Sequence, residues 1–223
     1  MINKDCDFCN ELNGKNTVFN EIYGDMNRII MNDKNFFMIP SLGQLRSGHI
    51  LIINKKHKTA AAQLDEKELN ELSSIIERLT QFYKEIYESD SIFFEHGMMT
   101  EEGGHGGCGI SHLHIHALPI NDDELQNFIA KIKAVSNYNC YQINSFKEIQ
   151  NLSKEIITYL LVKASESSYM ITTPRNEFPS QQLRKLLCEC IGNEKWNWKE
   201  NLERESELVE TYSKGVDYFA KCL

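Results

Sequence analysis

The chain has 223 residues and a formal net charge of −8. This acidic balance argues against a protein that binds nucleic acid polymers, because such binding relies on neutralising many phosphates with Lys and Arg. Hydrophobic residues make up 41% of the chain and aromatic residues 10%, which supports a substantial core and excludes global disorder. No apolar run approaches the roughly 20 residues that span a bilayer, and the first residues lack the apolar core of a signal peptide. We therefore expect a cytoplasmic protein with no membrane partner.

The cysteines argue against a disulfide framework. Their number is odd and their spacing wide, and the sequence carries no secretory signal. Cys6 and Cys9 form a C-x-x-C pair near the N-terminus. In a reducing compartment this pair indicates either half of a metal site or a redox couple.

The first part of the chain is rich in short segments typical of β-structure. Strands are expected at 17–23, 28–31, 35–40 and 48–54. Turn residues separate them, as between antiparallel strands. The last segment is a continuous apolar run, which indicates a buried strand.

A long amphipathic helix follows over residues 65–88, where apolar residues recur every three to four positions. Asp65 and Glu68 have the spacing of a capping box at its start. Beyond the helix we expect, in order, a strand at 91–95, a glycine-rich loop at 103–109 and a strand at 111–119.

The remaining sequence predicts further helices and a hairpin. Helices are expected at 122–135, from Pro179 to about 192 and at about 200–220, with a hairpin over 159–173. The fold class is α+β on an antiparallel sheet. We expect a catalytic domain over 1–137 and an α+β C-terminal extension over 138–223.

Three histidines alternate along the strand expected at 111–119. Because a strand directs residues i, i+2 and i+4 to one face, His112, His114 and His116 share a face, about 6.5 Å apart. Packing gives no reason for this arrangement, since each buried neutral imidazole needs partners for both nitrogens. Two functions fit: a histidine attacks phosphorus or acts as a base there, or the histidines hold a catalytic metal.

Three separated motifs resemble those of the histidine triad (HIT) superfamily of nucleotidyl hydrolases and transferases. Residues 112–118, HLHIHAL, fit its His-φ-His-φ-His-φ-φ signature. Residues 48–57, GHILIINKKH, are similar to its Gly-His-x-Leu-φ-φ-Pro-Lys-x-His segment, and Cys6-x-x-Cys9 stands where zinc-containing members carry theirs. The resemblance covers about residues 5–120 and implies a HIT-like fold, in a larger, bacterial-type, zinc-containing member with a C-terminal extension.

The resemblance implies a role for each matching residue. His114 matches the nucleophile that forms a transient nucleotidyl-histidine, and His116 matches the residue that contacts the phosphate or leaving group. His49 matches a histidine that lines the same pocket. The loop whose backbone amides hold the α-phosphate corresponds to Gly106, Gly107, Cys108 and Gly109. Consecutive glycines suit this role because they let N–H groups converge on an anion.

The resemblance also implies a structural zinc site. Its ligands would be Cys6, Cys9, His57 and His112, matching the zinc-bearing members. A closed set of four ligands is structural rather than catalytic.

Several positions depart from the family pattern. Asn54 replaces a proline, and Gly109 stands where small members have a serine. Ser41, with Pro40, lies near the place of an aspartate that contacts the ribose, so it is a candidate substrate contact. His96 occupies the place of an Asn-containing segment and is expected to reach the pocket.

The C-terminal extension exceeds the compact family core. Small members complete their pocket by dimerisation, so a homodimer is one expectation and a cap formed by the extension is another. Arg184 is the candidate for contacting the substrate phosphate, because a guanidinium can form two parallel hydrogen bonds to a phosphate and a lysine ammonium cannot. The alternative is a plain structural role for its helix, and the sequence favours this alternative.

The sequence thus predicts a nucleotidyl hydrolase or transferase that acts at the α-phosphate of a small nucleotide conjugate. The conjugate classes are dinucleoside polyphosphates, nucleotide sugars and nucleoside phosphoramidates. Two alternatives stay open: a metallohydrolase that uses the histidines as metal ligands, and a non-catalytic nucleotide sensor.

Overall fold

A computed structural model describes residues 6–99, 110–135, 137–152, 156–164, 167–173 and 178–222. One antiparallel sheet forms its centre. Its strands are β1 (Met31–Asn32), β2 (Phe36–Pro40), β3 (Ile50–Asn54), β4 (Asp90–Met98), β5 (His114–Ile120), β6 (Asn139–Ile143), β7 (Thr158–Lys163) and β8 (Ser168–Thr172). Within these residues the order of the eight strands is β1-β2-β3-β5-β4-β7-β8-β6.

Seven α-helices surround the sheet in the part of the chain that the structure describes. They are α1 (Asp7–Leu12), α2 (Val18–Tyr23), α3 (Glu66–Tyr87), α4 (Asp122–Ala134), α5 (Phe146–Leu152), α6 (Gln182–Cys190) and α7 (Glu205–Phe219). The expected α+β class with an antiparallel sheet is confirmed. No helix in the described ranges has the length and apolar character needed to cross a bilayer.

The long helix begins as the sequence predicts. Asp65 accepts a hydrogen bond from the Glu68 N–H at 2.9 Å, and Glu68 accepts one from the Asp65 N–H at 2.9 Å. This reciprocal capping satisfies two amides that the first turn leaves without helical partners. The helix α4 is capped in the same way by Asn121 and Glu124.

The expected strand at 17–23 is wrong, because residues 18–23 form the helix α2. The Asn20 side chain accepts a hydrogen bond from the Thr17 N–H at 3.0 Å, which stabilises the helix start. Phe19 is buried, and the guanidinium of Arg28 lies 4.3 Å from its ring centroid. Capping and burial override the β-propensity of these residues. The strand expected at 28–31 is reduced to β1, which has two residues.

The two faces of the sheet bury different surfaces. On one face, Leu113, Ile115 and Ala117 belong to the core cluster that includes the apolar side of α3. On the other face, β2 and β3 pack against α1 around Phe8. Farther along that second face, strands β4, β5, β7 and β8 pack against α4 and α6. The histidines of β5 lie on this second face, between α1 and α6.

The C-terminal strands continue the same sheet. β7 pairs with β4 and β8 pairs with β7, which forms the hairpin expected over 159–173. β6 pairs with β8 at the edge and was not expected from the sequence. The boundary at 137/138 stays a prediction, and the sheet extends across it.

Residues 193–204 cross back to the loop that joins β2 to β3. The side chains of Asn193 and Arg204 each donate to the Leu45 carbonyl at 2.8 Å. Asn201 donates to the Gln44 carbonyl. The Gln44 side chain in turn donates to the carbonyl of His49 at 2.8 Å and accepts from its N–H at 3.1 Å. The C-terminal segment therefore holds the loop that carries His49.

We expect Asn201→Ala to lower the free energy of unfolding by about 1–3 kcal/mol, because it removes the donor of a buried carbonyl. Asn201 is fully buried. Chemical denaturation measures the change. Lys147→Ala is the control, since it removes the exposed pair with Glu66 and should cost less than about 1 kcal/mol. Equal stabilities of the two variants would contradict the proposed tether.

Candidate active site and metal cluster

Four potential metal ligands meet where α1 approaches the start of β5. The ligand atoms of Cys6, Cys9, His57 and His112 all lie within 4.8 Å of one another. The Cys6 sulfur is 3.2 Å from Nδ1 of His112, and the Cys9 sulfur is 3.5 Å from Nδ1 of His57 and 3.6 Å from Nδ1 of His112. The structure thus brings together the four residues that the sequence nominates.

These distances fit a tetrahedral ion. Zinc bonds of about 2.3 Å to sulfur and about 2.0 Å to nitrogen, at tetrahedral angles, place the two ligand atoms about 3.5 Å apart. Burial raises the pKa of the Cys6 thiol to about 11 and lowers the pKa of His112 to about 4, so the protein alone disfavours charge there. A bound cation would reverse this penalty for the thiolates. The cluster is compatible with zinc.

His112 joins this cluster to the rest of the site. Its Nε2 lies 2.6 Å from the Asn54 carbonyl oxygen, to which it donates. This bond leaves Nδ1 as the atom that faces the cysteines. A metal-binding imidazole is expected to donate such a hydrogen bond from the ring nitrogen that does not bind the metal. The strand β5 begins only at His114, so His112 precedes it, in contrast to the expected strand over 111–119.

The backbone of His112 also fixes the protonation of His114. Nδ1 of His114 lies 2.7 Å from the His112 carbonyl oxygen. Because a carbonyl only accepts, Nδ1 must carry the proton and Nε2 holds a lone pair. Nε2 makes no hydrogen bond within the described ranges. The geometry therefore presents a neutral imidazole with a nucleophilic nitrogen.

A second hydrogen-bonded pair fixes His116. The Leu45 N–H donates to Nδ1 of His49 at 3.3 Å, which places the proton of His49 on Nε2. Nε2 of His49 lies 2.8 Å from Nδ1 of His116 and donates to it. His116 therefore carries its own proton on Nε2. The ring of Phe94 stacks on His116 with centroids 4.6 Å apart and holds its plane.

Burial keeps these imidazoles neutral. It is the main cause that lowers the pKa of His49, His114 and His116 below the usual value, and the positive charge of Arg184 contributes in the same direction. A neutral His114 is the form that has a lone pair to attack with.

A cleft opens beside His114 and His116. Its apolar wall comprises Phe8, Leu42, Leu51 and Ile110, and its polar wall includes Ser41 and Trp198. An apolar cleft with a few convergent polar groups is the usual form of a small-molecule site.

Two buried cations line this cleft. Arg184 is 2% exposed, and its guanidinium donates to the carbonyls of Trp196 at 2.9 Å and Gly43 at 2.7 Å. Arg28 forms an ion pair with Glu11 at 2.6 Å. Arg184, on α6, therefore places a positive charge near the histidines.

The other nominated residues have different positions. Ser41 lines the cleft, whereas His96 lies behind His116 in a separate, smaller cavity. The phosphate-binding loop nominated at Gly106, Gly107, Cys108 and Gly109 lies outside the described residues. The substrate-binding roles of all these residues stay predictions.

Sequence reasoning missed Phe8, Arg28 and Trp198. Phe8 lies between the two cysteines in sequence and packs edge-on against two histidine rings. Its ring centroid is 5.8 Å from that of His112 and 5.4 Å from that of His114. Its place in the C-x-x-C segment was the one available signal. Arg28 and Trp198 reach the cleft only through folding, and no local pattern marks them.

Comparison with known proteins adds two relatives. A CWF19-like protein 1 homolog from Drosophila melanogaster is 26% identical over 203 residues, which are 86% of this chain and 34% of that protein. The chain thus spans about a third of the length of the fly relative. A bis(5′-adenosyl)-triphosphatase from Dictyostelium discoideum is 25% identical over 108 residues, which are 46% of this chain and 70% of that protein.

Two solved structures that match this chain are described as histidine triad proteins. A HIT family protein from Bacillus anthracis matches with a TM-score of 0.40 and 19% identity, over 54% of this chain and 76% of its own. A zinc-bound histidine triad family protein from Mycobacterium smegmatis matches with a TM-score of 0.33 and 18% identity. The match covers 46% of this chain and 72% of that protein. Both descriptions name the family that the sequence motifs resemble.

The family itself is set by a broader match. A family model described as "Protein similar to CwfJ C-terminal" matches residues 3–135, which is more than half of the chain and includes Cys6, Cys9 and all seven histidines. The chain belongs to this family of proteins similar to the CwfJ C-terminal.

Proposed function

We propose that the chain is a nucleotidyl hydrolase or transferase that works through a covalent nucleotide on His114. The observation that carries this proposal is the Nε2 lone pair of His114, which faces a cleft while Nδ1 is held by the His112 carbonyl. The amoeba relative is named a bis(5′-adenosyl)-triphosphatase, which supports chemistry on nucleotide phosphates.

The reaction has two displacements. In the first, Nε2 of His114 forms a bond to the α-phosphorus while the bond from phosphorus to the leaving atom breaks, and its electron pair departs with the leaving group. A phosphate leaves as an anion, whereas an amine or alcohol takes up a proton from solvent. In the second, the oxygen of water or of an acceptor bonds to phosphorus, the P–N bond breaks, and its electron pair returns to Nε2. The proton of the acceptor passes to solvent.

The groups around His114 favour these two displacement steps. The ring of His114 becomes cationic when Nε2 binds phosphorus, which strengthens the hydrogen bond from Nδ1 to the His112 carbonyl. The N–H of His116 and the charge of Arg184 both stand at the cleft, where they stabilise negative charge on the phosphoryl oxygens. Covalent catalysis splits one difficult displacement into two easier ones.

The metallohydrolase alternative fits less well. Within the described ranges, the cluster of potential metal ligands takes His112 and leaves out His114 and His116. We propose a structural zinc ion at this cluster, because four protein ligands leave no open position for a reacting water. The non-catalytic sensor is an outcome of the test on His114.

His114→Ala should lower kcat by at least about 1,000-fold, because it removes the nucleophile of both steps. The wild-type protein is denatured in alkali during turnover of a panel of nucleotide conjugates, because a P–N bond to histidine hydrolyses in acid. Mass spectrometry should then find a nucleoside monophosphate on His114. The variant should still bind the nucleotide and keep its melting temperature. Substantial turnover by His114→Ala would refute the nucleophile, and binding without turnover by the wild type would favour the sensor.

Cys6→Ser should reduce the zinc content from about one ion per chain and lower the melting temperature. A structural zinc ion supplies several kcal/mol of folding free energy, since its ligands are organised only in the folded state. Elemental analysis and thermal denaturation measure the two effects. Cys140→Ser is the matched control, because this half-buried cysteine lies outside the cluster. Unchanged zinc content in Cys6→Ser would show that the cluster does not bind the ion.

A further inference from the structure

A groove with a free volume of about 500 Å³ lies on the sheet face opposite the histidines. It is bounded by α3, by the start of α5 and by the hairpin of β7 and β8. Among the described residues, none that lines this groove also lines the cleft at His114. The volume falls in the range of about 300–1,000 Å³ that is usual for small-molecule sites. The groove is therefore large enough for a ligand of its own.

Lys163 places a positive charge in this groove, at a position that the strand pattern would make apolar. It continues a row on one face of β7 after Tyr159 and Leu161, which are both buried. Lys163 is half-buried, and among the described residues its Nζ hydrogen-bonds only to the Ala164 carbonyl, at 3.5 Å. Burial lowers the pKa of Lys163 below its usual value. A partly desolvated ammonium without a carboxylate partner costs free energy, which a bound anion would offset.

The facing wall carries a carboxylate. Glu77 lies on α3, and its negative charge acts to raise the pKa of Lys163, against the effect of burial. Within the described ranges the two side chains form no ion pair, and no other charged side chain lines the groove. A carboxylate accepts hydrogen bonds from neighbouring hydroxyl groups and repels a phosphate. The two charges therefore favour opposite ends of one ligand.

The remaining walls suit the uncharged part of such a ligand. The hydroxyls of Ser73 and Thr80 donate to the carbonyls of Leu69 and Ile76, each at 2.9 Å, so they offer lone pairs to a ligand. The side chains of Ile76 and Phe146 add apolar surface. A sugar has both complements, because its hydroxyls donate hydrogen bonds and its C–H faces pack on apolar groups.

We propose that this groove binds a sugar phosphate, with the phosphate at Lys163 and the sugar hydroxyls at Glu77. A free sugar phosphate and the ribose 5′-phosphate part of a nucleotide share this chemistry. The groove lies across the sheet from His114, so the proposal does not depend on a nucleotidyl-histidine. It gives the chain a second ligand site, separate from the histidines.

Acetylation of Lys163 measures the occupancy of the groove directly. Wild-type protein is treated with a limiting amount of N-hydroxysuccinimidyl acetate, and mass spectrometry follows each lysine separately. Ribose 5-phosphate at about 1 mM should slow acetylation of Lys163 at least about 5-fold, which corresponds to a Kd of roughly 0.25 mM or tighter. Ribose and inorganic phosphate at the same concentration should each slow it less than about 2-fold. Lys131, which lies on α4 across the sheet, is the internal control and should keep its rate.

Adenosine 5′-monophosphate identifies the source of the group. Stronger protection by this nucleotide than by ribose 5-phosphate would support a nucleotide, and equal or weaker protection would support a free sugar phosphate. Glu77→Gln should reduce the protection by ribose 5-phosphate to about the level of inorganic phosphate, because it removes the charged acceptor of the sugar hydroxyls. Asp123→Asn, at an exposed position on α4, is the matched control and should keep wild-type protection.

Three results would overturn the proposal. Absence of protection by both phosphorylated ligands would mean that the groove binds neither of them. Inorganic phosphate as effective as ribose 5-phosphate would mean that Lys163 attracts anions without recognising a sugar. Unchanged protection in Glu77→Gln would remove the assigned contact with the hydroxyls. Each result leaves the chemistry proposed for His114 unaffected, since that is measured by turnover and by the adduct.

Discussion

The hydrogen bond from Nδ1 of His114 to the carbonyl of His112 is the constraint on which the site depends. One residue contributes to both sites, because the ring of His112 faces Cys6 and Cys9 while its carbonyl holds His114, the proposed nucleophile. An ion bound by the cysteines would therefore also restrain the orientation of His114. The proposed zinc site and the proposed nucleophile would therefore be coupled through one short segment of chain.

A parallel arrangement holds the other side of the site. The C-terminal segment donates to the carbonyls of Gln44 and Leu45, Gln44 binds the backbone of His49, and His49 donates to His116. Arg184, which lies on α6, lines the cleft. Residues far apart in sequence thus fix the protonation and charge around a single reacting position.

Much of this could be predicted from local sequence. The alternation of His112, His114 and His116 gave their common face, and the spacing of Asp65 and Glu68 gave the start of α3. The strand expected at 17–23 is wrong because local capping by Asn20 and the burial of Phe19 both favour the helix, and the burial of Phe19 depends on tertiary packing. The positions of Arg28, Trp198 and His96 around the histidines arise only when distant strands and helices pack. The family resemblance predicts the four metal ligands from the sequence. The hydrogen bonds that determine the tautomer of each histidine depend on the folded structure.

The stereochemical course at phosphorus tests the covalent route most directly. A nucleotide conjugate with a chiral α-phosphorothioate would be hydrolysed in ¹⁸O-labelled water, and the configuration of the product determined. Two in-line displacements, first by His114 and then by water, each invert the centre, so the account predicts net retention. Net inversion would mean that water attacks phosphorus in a single step, and it would contradict a nucleotidyl-histidine intermediate.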